Sequence, residues 1–216
     1  MTENLNGKVC LITGATSGIG KASAMQLASM GAEIVFVARN KEKAEKLKEA
    51  LKASTGKDAT SIIADLSSQE EVKRAAGEFL SLNKPLHVLL NNAGIVNTTR
   101  KETVDGFEEV FAVNHLAYYA LTVMLMNKLI ENGPSRIVNV ASSAHTFIKE
   151  LDFEDLQSKN DYKTMQAYGK SKLANILFTR ELAERLEGKG VTVNCLHPGV
   201  VDTEIISNNS LFLKLL

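Results

Sequence analysis

A glycine-rich turn near the N-terminus constrains the fold more than any other feature of this sequence. An apolar run at 9–12 leads directly into TGATSGIG at 13–20, and small residues at helical spacing continue to about Met30. A tight reversal from strand to helix needs glycine, which also lets the backbone approach a phosphate. The helix N-terminus offers unpaired N–H groups to the same anion. The turn therefore predicts a dinucleotide site with contacts from Gly14, Thr16, Ser17, Gly18, Ile19 and Gly20.

Apolar strands and helical patterns alternate along the rest of the chain. Strands are predicted at 9–12, 33–37, 60–64, 86–90, 136–140 and 191–196, and helices at 19–30, 41–52, 68–81, 105–131 and 164–187. Strands this apolar suit a parallel sheet that is covered on both faces. The pattern predicts an α/β fold of Rossmann type, a doubly wound parallel sheet in three layers (α/β/α). The length of 216 residues fits one domain over 1–216, with a polar loop at 143–163.

The composition argues against several classes of protein. Lys plus Arg and Asp plus Glu number 25 each, so no net charge draws the chain to nucleic acid or to an anionic membrane. Met1–Lys8 lacks the apolar core of a signal peptide, and no apolar run approaches the roughly 20 residues of a membrane span. Cys10 and Cys195 lie in apolar runs and are expected to be buried free thiols. We therefore expect a cytoplasmic protein without a metal site or a membrane span.

The residue after the second predicted strand bears on the choice of cofactor. NAD sites usually place an acid there for the ribose 2′-hydroxyl, whereas an arginine accommodates a 2′-phosphate. Arg39 occupies this position, so NADP is predicted over NAD. The alternative is a solvated arginine at the start of a surface helix. Asp65, after the third strand, either caps the next helix or hydrogen-bonds the adenine.

Polar side chains follow the later strands at what would be the carboxyl edge of the sheet, where such folds bind ligands. Asn91–Gly94 follow the fourth strand and a serine pair at 142–143 follows the fifth. Tyr168 and Lys172 are four residues apart, on one face of the last helix. A nearby ammonium lowers a tyrosine pKa toward the working pH, although such pairs are common by chance. Asn114 lies in an apolar helix stretch, where either packing or a role in the site would explain it.

These motifs occur in a fixed order from Lys8 to Thr203. They are TGATSGIG at 13–20, NNAG at 91–94, Asn114 in VNHLA, Ser142 in IVNVASSAH, YGKSK at 168–172 and PG at 198–199. The set resembles the short-chain dehydrogenase/reductase family, in the branch similar to retinol dehydrogenases and the WW-domain-containing oxidoreductase. Such a resemblance covers almost the whole chain and implies the Rossmann-type fold that the periodicity also predicts.

The resemblance implies a catalytic tetrad of Asn114, Ser142, Tyr168 and Lys172. Tyr168 would move a proton to or from the substrate oxygen, and Ser142 would hydrogen-bond that oxygen. Lys172 would lower the tyrosine pKa and bind the nicotinamide ribose, while Asn114 would order a water. Cofactor contacts are further implied for Asp65, Leu66, Asn92, Ala93, Gly94, Tyr168, Lys172, Pro198, Gly199 and Thr203.

The predicted function is that of an NADP-dependent oxidoreductase. It would interconvert a carbonyl and an alcohol in a lipophilic small molecule such as a retinoid, a steroid or another aldehyde or ketone. One alternative is a cofactor-binding regulatory or scaffold protein with little turnover, and another is epimerisation or dehydration by the same Tyr–Lys pair. Family members continue past Thr203 with a further strand and helix. We therefore expect that the chain is a fragment or shortened form, or that something else covers the apolar sheet edge at 191–196. Left uncovered, this edge and the apolar stub 211–216 would favour a homo-oligomer, aggregation or weak activity.

Overall fold

Strands and helices alternate throughout residues 4–199, the part of the chain that the computed structural model describes. The strands are β1 Val9–Thr13, β2 Glu33–Ala38, β3 Thr60–Ile63, β4 Val88–Asn91, β5 Ser135–Val140 and β6 Val191–Leu196. The helices are α1 Gly18–Ser29, α2 Lys41–Thr55, α3 Gln69–Ser81, α4 Glu109–Glu131 and α5 Thr164–Arg185. The loop predicted at 143–163 begins with a short 3₁₀ helix, Ser143–Phe147.

All neighbouring strands of the sheet are parallel, in the order β3-β2-β1-β4-β5-β6. This order confirms the predicted Rossmann-type α/β fold. The direction of winding reverses between β1 and β4, because β2 lies on one side of β1 and β4 on the other. Ligands of such sheets bind at this switch point, outside the carboxyl ends of the strands.

The sheet is covered by helices on both faces, so its central strand β1 buries every residue. In β1, Val9 and Leu11 face α3, α4 and α5, whereas Cys10 and Ile12 face α1 and α2. All four side chains are at most 3% exposed. Burial of a large aliphatic side chain contributes about 1.5–3 kcal/mol. The two layers explain why the strand sequences are continuously apolar rather than alternating.

The last strand, β6, differs from the central strands. Val191 and Val193 are buried, whereas Thr192 and Asn194 are exposed and Leu196 is 42% exposed. β6 ends the sheet among the described residues, and the effect of this edge on self-association stays a prediction.

The position of β6 also corrects the expectation for one cysteine. Cys10 is fully buried in β1, but Cys195 on β6 is only partly buried, so the expected burial of Cys195 is wrong. The stub 211–216 and Thr203 lie outside the described residues.

Helix α4 is long and apolar enough to cross a membrane by length and composition alone. The sequence contains no continuous apolar run of this length, because uncharged polar residues, including Asn114 and Thr122, interrupt it. Within the protein, 56% of the most apolar stretch of this helix is buried. Leu121, Leu125 and Leu129 pack into the core beneath the sheet, which accounts for the apolar composition.

Candidate active site

A cleft of about 440 Å³ opens at the carboxyl ends of the strands. It brings together nearly all of the residues predicted for the site: Gly14, Thr16, Ser17, Gly18, Ile19, Arg39, Asp65, Leu66, Asn92, Ala93, Gly94, Ser142, Tyr168, Lys172, Pro198 and Gly199. Gly20 and Asn114 stand behind this lining. Within residues 4–199, no cluster of histidine, cysteine or carboxylate side chains is placed to hold a metal ion.

The glycine turn forms a close-packed cradle. Gly14 and Gly18 have φ angles of 67° and 50°, in the left-handed region that side chains disfavour. A Cβ on Gly14 would lie 2.7 Å from the Ala93 Cα, and a Cβ on Gly20 would lie 2.2 Å from the Gly14 carbonyl oxygen. Ser17 precedes α1 without a side-chain cap among the described residues, so the first-turn N–H groups suit a bound anion. The cradle therefore fits the diphosphate of a dinucleotide.

Hydrogen bonds join the segment after β4 to the glycine turn. The Thr13 hydroxyl accepts from the backbone N–H groups of Asn92 and Ala93, at 2.9 and 3.0 Å. The Asn92 amide donates to the carbonyls of Thr13 and Gly14, at 3.0 and 3.1 Å. Asn92 thus fixes the shape of the turn as well as lining the cleft. Thr13 was missed at the sequence level, although a threonine that ends an apolar strand is a detectable signal.

The end of β2 carries positive charge into the cleft. Arg39 and Asn40 are exposed, and the Asn40 side chain caps α2 by accepting from the Lys43 N–H at 2.9 Å. Arg39, Asn40 and Lys43 all line the cleft. The sequence predicts only that Lys43 lies on a helix at 41–52, because its approach to the cleft depends on how α2 packs against the sheet.

Asp65 does not cap the helix that follows it. Its carboxylate accepts from the Ser67 N–H at 3.0 Å, whereas the N-cap of α3 is Ser68. Asp65 therefore closes the turn before α3 while lining the cleft. Its contact with the adenine stays a prediction.

Tyr168 and Lys172 lie close together and are both buried, at 8% and 2% exposure. The Lys172 Nζ donates to the Val140 carbonyl at 2.9 Å and lies 5.5 Å from the centroid of the Tyr168 ring. Burial lowers the pKa of Lys172 to about 7.

Burial also raises the pKa of Tyr168, and a hydrogen bond with Ser142 lowers it only in part. The pKa of Tyr168 is therefore raised overall, and the lowering by Lys172 that the sequence predicts stays a prediction. The physical reason is that the same burial penalises the phenolate and the ammonium alike.

Asn114 lies in a π-helical segment of α4, Ala112–Leu116. Its Oδ1 accepts from the Ile95 N–H at 2.8 Å, and its Nδ2 donates to the Ile95 carbonyl at 3.0 Å and to the Ser171 hydroxyl at 3.1 Å. A Cβ on Gly94 would lie 3.5 Å from Asn114 Oδ1 and 3.7 Å from Lys172 Nζ. Asn114 therefore positions the segment after β4 and lies beside Lys172. It has a packing role and a place next to the site at once.

A chain of buried amides and hydroxyls runs from the centre of the sheet toward Asn114. The Asn91 amide donates to Asn139 Oδ1 at 2.9 Å, and the Asn139 amide donates to the Thr179 hydroxyl at 2.9 Å. Thr179 in turn donates to the Asn175 carbonyl at 2.7 Å, and the Asn175 amide donates to the Asn114 carbonyl at 2.8 Å. Sequence reasoning missed this network, although polar residues in apolar runs such as IVNV are a usable signal.

The end of the cleft opposite Arg39 has an apolar wall. Ile95, Ala144, Phe147 and Met165 line it, and Val96 packs in the same cluster with Tyr168. Of the polar loop predicted at 143–163, only Ser143, Ala144 and Phe147 reach the described lining, together with Ser142 before it. The remainder packs elsewhere, through contacts that short-range sequence patterns do not reveal.

The comparisons with known proteins agree with this geometry. The model of the short chain dehydrogenase family matches residues 8–212. Mouse retinol dehydrogenase 12 is 45% identical over 211 residues, covering 97% of this chain and 66% of that protein. Human retinol dehydrogenase 11 is 44% identical, with coverages of 97% and 66%. The chain thus spans about two thirds of the length of these curated relatives.

Solved structures show the same fold. The RhlG/NADP active-site complex of Pseudomonas aeruginosa matches with a TM-score of 0.78 and 28% identity, covering 96% of this chain and 78% of that one. A short chain dehydrogenase from Burkholderia cenocepacia in complex with NADP matches with a TM-score of 0.75 and 29% identity, covering 94% and 78%. The glycine cradle, the buried Tyr–Lys pair and these relatives agree. The chain belongs to the short-chain dehydrogenase family, in the branch that resembles retinol dehydrogenases.

Proposed function

We propose that this chain is an NADP-dependent oxidoreductase that interconverts a lipophilic carbonyl compound and its alcohol. The observation that carries the proposal is the placement of Ser142, Tyr168 and Lys172 in the same cleft as the glycine cradle. The cofactor, when bound, supplies the hydride chemistry. The family and the NADP complexes of the structural neighbours support this class of reaction.

The charges at the end of β2 support NADP rather than NAD. Arg39 and Lys43 both line the cleft beyond that strand, where a ribose 2′-phosphate would be held. Asp65 is the single acidic residue among the described lining residues, and it follows β3 rather than β2. Two cationic side chains at this end of the cleft favour a phosphate over a free hydroxyl.

The protonation state of Tyr168 favours carbonyl reduction near neutral pH. Because burial raises its pKa, the phenol keeps its proton and serves as the acid for a substrate oxygen. The Ser142 hydroxyl, bonded to the same phenol, orients it. Lys172, with a pKa of about 7, changes its charge in the working range within 6 Å of that ring. The apolar wall at this end of the cleft favours a substrate with a hydrocarbon body.

Turnover tests the catalytic part of the proposal. We would follow NADPH oxidation with straight-chain aldehydes of increasing length, using wild type, Tyr168→Phe and the control Tyr119→Phe, which changes a half-exposed tyrosine on α4. Tyr168→Phe should lose about 10²–10⁴-fold in rate while binding NADPH as before. Retained activity would exclude the phenol as the acid. NADPH binding without turnover of any carbonyl would instead favour a cofactor-binding protein with little activity.

Titration tests the cofactor preference separately. Arg39→Asp should lose about ten- to a hundredfold in NADPH affinity, because a charge-assisted contact with a phosphate contributes about 1.5–3 kcal/mol. Arg180→Asp is the matched control, since Arg180 lies exposed on α5 and pairs with Glu184 at 3.4 Å. Tighter binding of NADH than of NADPH by wild type would contradict the proposal.

A further inference from the structure

Residues 155–162, which we call the strap, bridge two parts of the protein that carry the site. The strap lies between the 3₁₀ helix Ser143–Phe147 and α5, and it does not contribute to the described lining of the cleft. One set of hydrogen bonds ties it to α5, and another ties it to the segment 97–109. The strap therefore connects the elements on either side of the substrate end.

Lys170 makes the attachment to α5. Its Nζ donates to the Asp155 carbonyl at 2.5 Å and to the Ser158 hydroxyl at 3.1 Å. Ser158 is buried and has a φ of 47°, a left-handed conformation that a non-glycine residue holds only when its surroundings fix it. Lys170 lies two residues from Tyr168 and two from Lys172, so the strap is fastened to the turn of helix that carries both groups.

Three further hydrogen bonds join the strap to the segment 97–109. The Gln157 carbonyl accepts from Arg100 Nε at 3.0 Å, and its side-chain oxygen accepts from the Glu108 N–H at 2.7 Å. The Tyr162 hydroxyl donates to the Asn97 carbonyl at 3.0 Å. All three partners lie far from the strap in sequence, so these bonds exist only in the folded protein.

Several of these attachments lie next to residues of the apolar wall. Asn97 directly follows Ile95 and Val96, which belong to that wall, and Met165 of the wall follows the strap in the first turn of α5. Glu108 is 1% exposed, and its carboxylate caps α4 by accepting from the N–H groups at 110 and 111. The strap thus spans from one side of the wall to the other.

We propose that Lys170 is a positioning residue that sets the width of the substrate end of the cleft by fastening the strap to the catalytic helix. The inference rests on the proposed function for its choice of substrate. Lys170 does not itself reach the described lining, so it acts through the strap. Without its two bonds, the strap and the segment 97–109 loosen together, and the wall no longer fits a long hydrocarbon chain.

Hydrogen exchange tests the mechanical part of this proposal without any substrate. Lys170→Met keeps the apolar stem and removes the donors; Arg180→Met on the exposed face of α5 is the control. Amide exchange in Lys170→Met should accelerate in both 155–162 and 97–109, by about tenfold or more, as expected for loss of charge-assisted hydrogen bonds. Faster exchange in 155–162 alone would overturn the proposal, because the strap would then have no effect on the segment 97–109.

Kinetics test the effect on specificity. For Lys170→Met, KM for a ten-carbon aldehyde should rise about tenfold, while KM for a three-carbon aldehyde, kcat for that small substrate and NADPH affinity stay near wild type. Equal changes for both aldehydes would overturn the assignment. Tyr162→Phe removes the bond to Asn97 without changing shape and should act in the same direction, so a poorly folded Lys170→Met leaves the test intact. If wild type turns over neither aldehyde, the proposed function fails. Hydrogen exchange then still tests whether Lys170 holds the strap and the segment 97–109 in place.

Discussion

Replacing Gly20 by alanine tests whether the cradle leaves room for even one methyl group. The added Cβ would lie 2.2 Å from the Gly14 carbonyl oxygen and 2.5 Å from Asn92 Nδ2. The nearest obstacle is backbone, so no change of rotamer relieves the contact. Either the turn opens or α1 shifts away from β1, and both movements disturb the N–H groups that the diphosphate would use.

Gly77 provides a matched control for this substitution. It lies exposed in α3, and a Cβ there would meet nothing within 4 Å. Gly77→Ala should raise the free energy of unfolding by about 0.5–1 kcal/mol, because alanine loses less backbone entropy in a helix. Gly20→Ala gains at most the same entropic stabilisation, but the overpacking that it causes lowers the free energy of unfolding by about 1–3 kcal/mol. The difference in the free energy of unfolding between the two variants therefore measures the cost of the steric clash at Gly20.

Thermal denaturation and a titration with NADPH measure the two consequences of Gly20→Ala. For a protein of this size, each kcal/mol corresponds to about 2–4 °C in melting temperature. We expect Gly20→Ala to melt below Gly77→Ala and to bind NADPH about tenfold more weakly or worse. If both alanine variants show the same melting temperature and wild-type affinity, the turn is deformable and its close packing has no role in binding.

Three other predictions concern the core. Thr179→Val leaves the Asn139 amide without its acceptor, so the free energy of unfolding in urea should fall by about 1–3 kcal/mol. The free energy of unfolding of wild type, measured against that of Lys172→Met, should rise from pH 7 to about 10. In this range the folded protein has lost the Lys172 proton, whereas the unfolded chain still binds it. Iodoacetamide should label Cys195 in the folded protein but Cys10 only after unfolding, because burial raises the pKa of Cys10 to about 12.

Each of these predictions has a result that contradicts it. Thr192→Val changes an exposed threonine on β6, and an equal loss of stability there would mean that the Asn139–Thr179 bond contributes nothing specific. Parallel curves of stability against pH for wild type and Lys172→Met would refute the lowered lysine pKa. Labelling of Cys10 as fast as Cys195 in the folded protein would show that β1 opens frequently.

Local patterns predicted the fold because each element has its own period and its own boundary signals. The glycine turn, the apolar strands and the polar residues at strand ends all lie within short stretches of sequence. The rule that parallel strands share a carboxyl edge then placed Arg39, Ser142 and Tyr168 in one cleft, which the structure shows.

The features that sequence analysis missed depend on residues far apart. Asn91 and Asn139 are 48 residues apart, and Arg100 and Gln157 are 57 apart, so neither pair leaves a local pattern. The direction of the Tyr168 pKa was also out of reach. Spacing along a helix gives the distance between two groups, but it does not show how completely the surrounding protein excludes water from them.

The exposure of Arg39 separates nucleotide choice from the integrity of the core. A substitution at an exposed position of this kind changes stability by about 0.5 kcal/mol or less. Lys172, by contrast, is 2% exposed and is held by the Val140 carbonyl, so any replacement must be accommodated by the packed interior. On the proposed function, natural variation or laboratory evolution can exchange the preferred nucleotide through single surface changes. Tyr168 and Lys172, by contrast, can change only if the core around them changes as well, because both are buried.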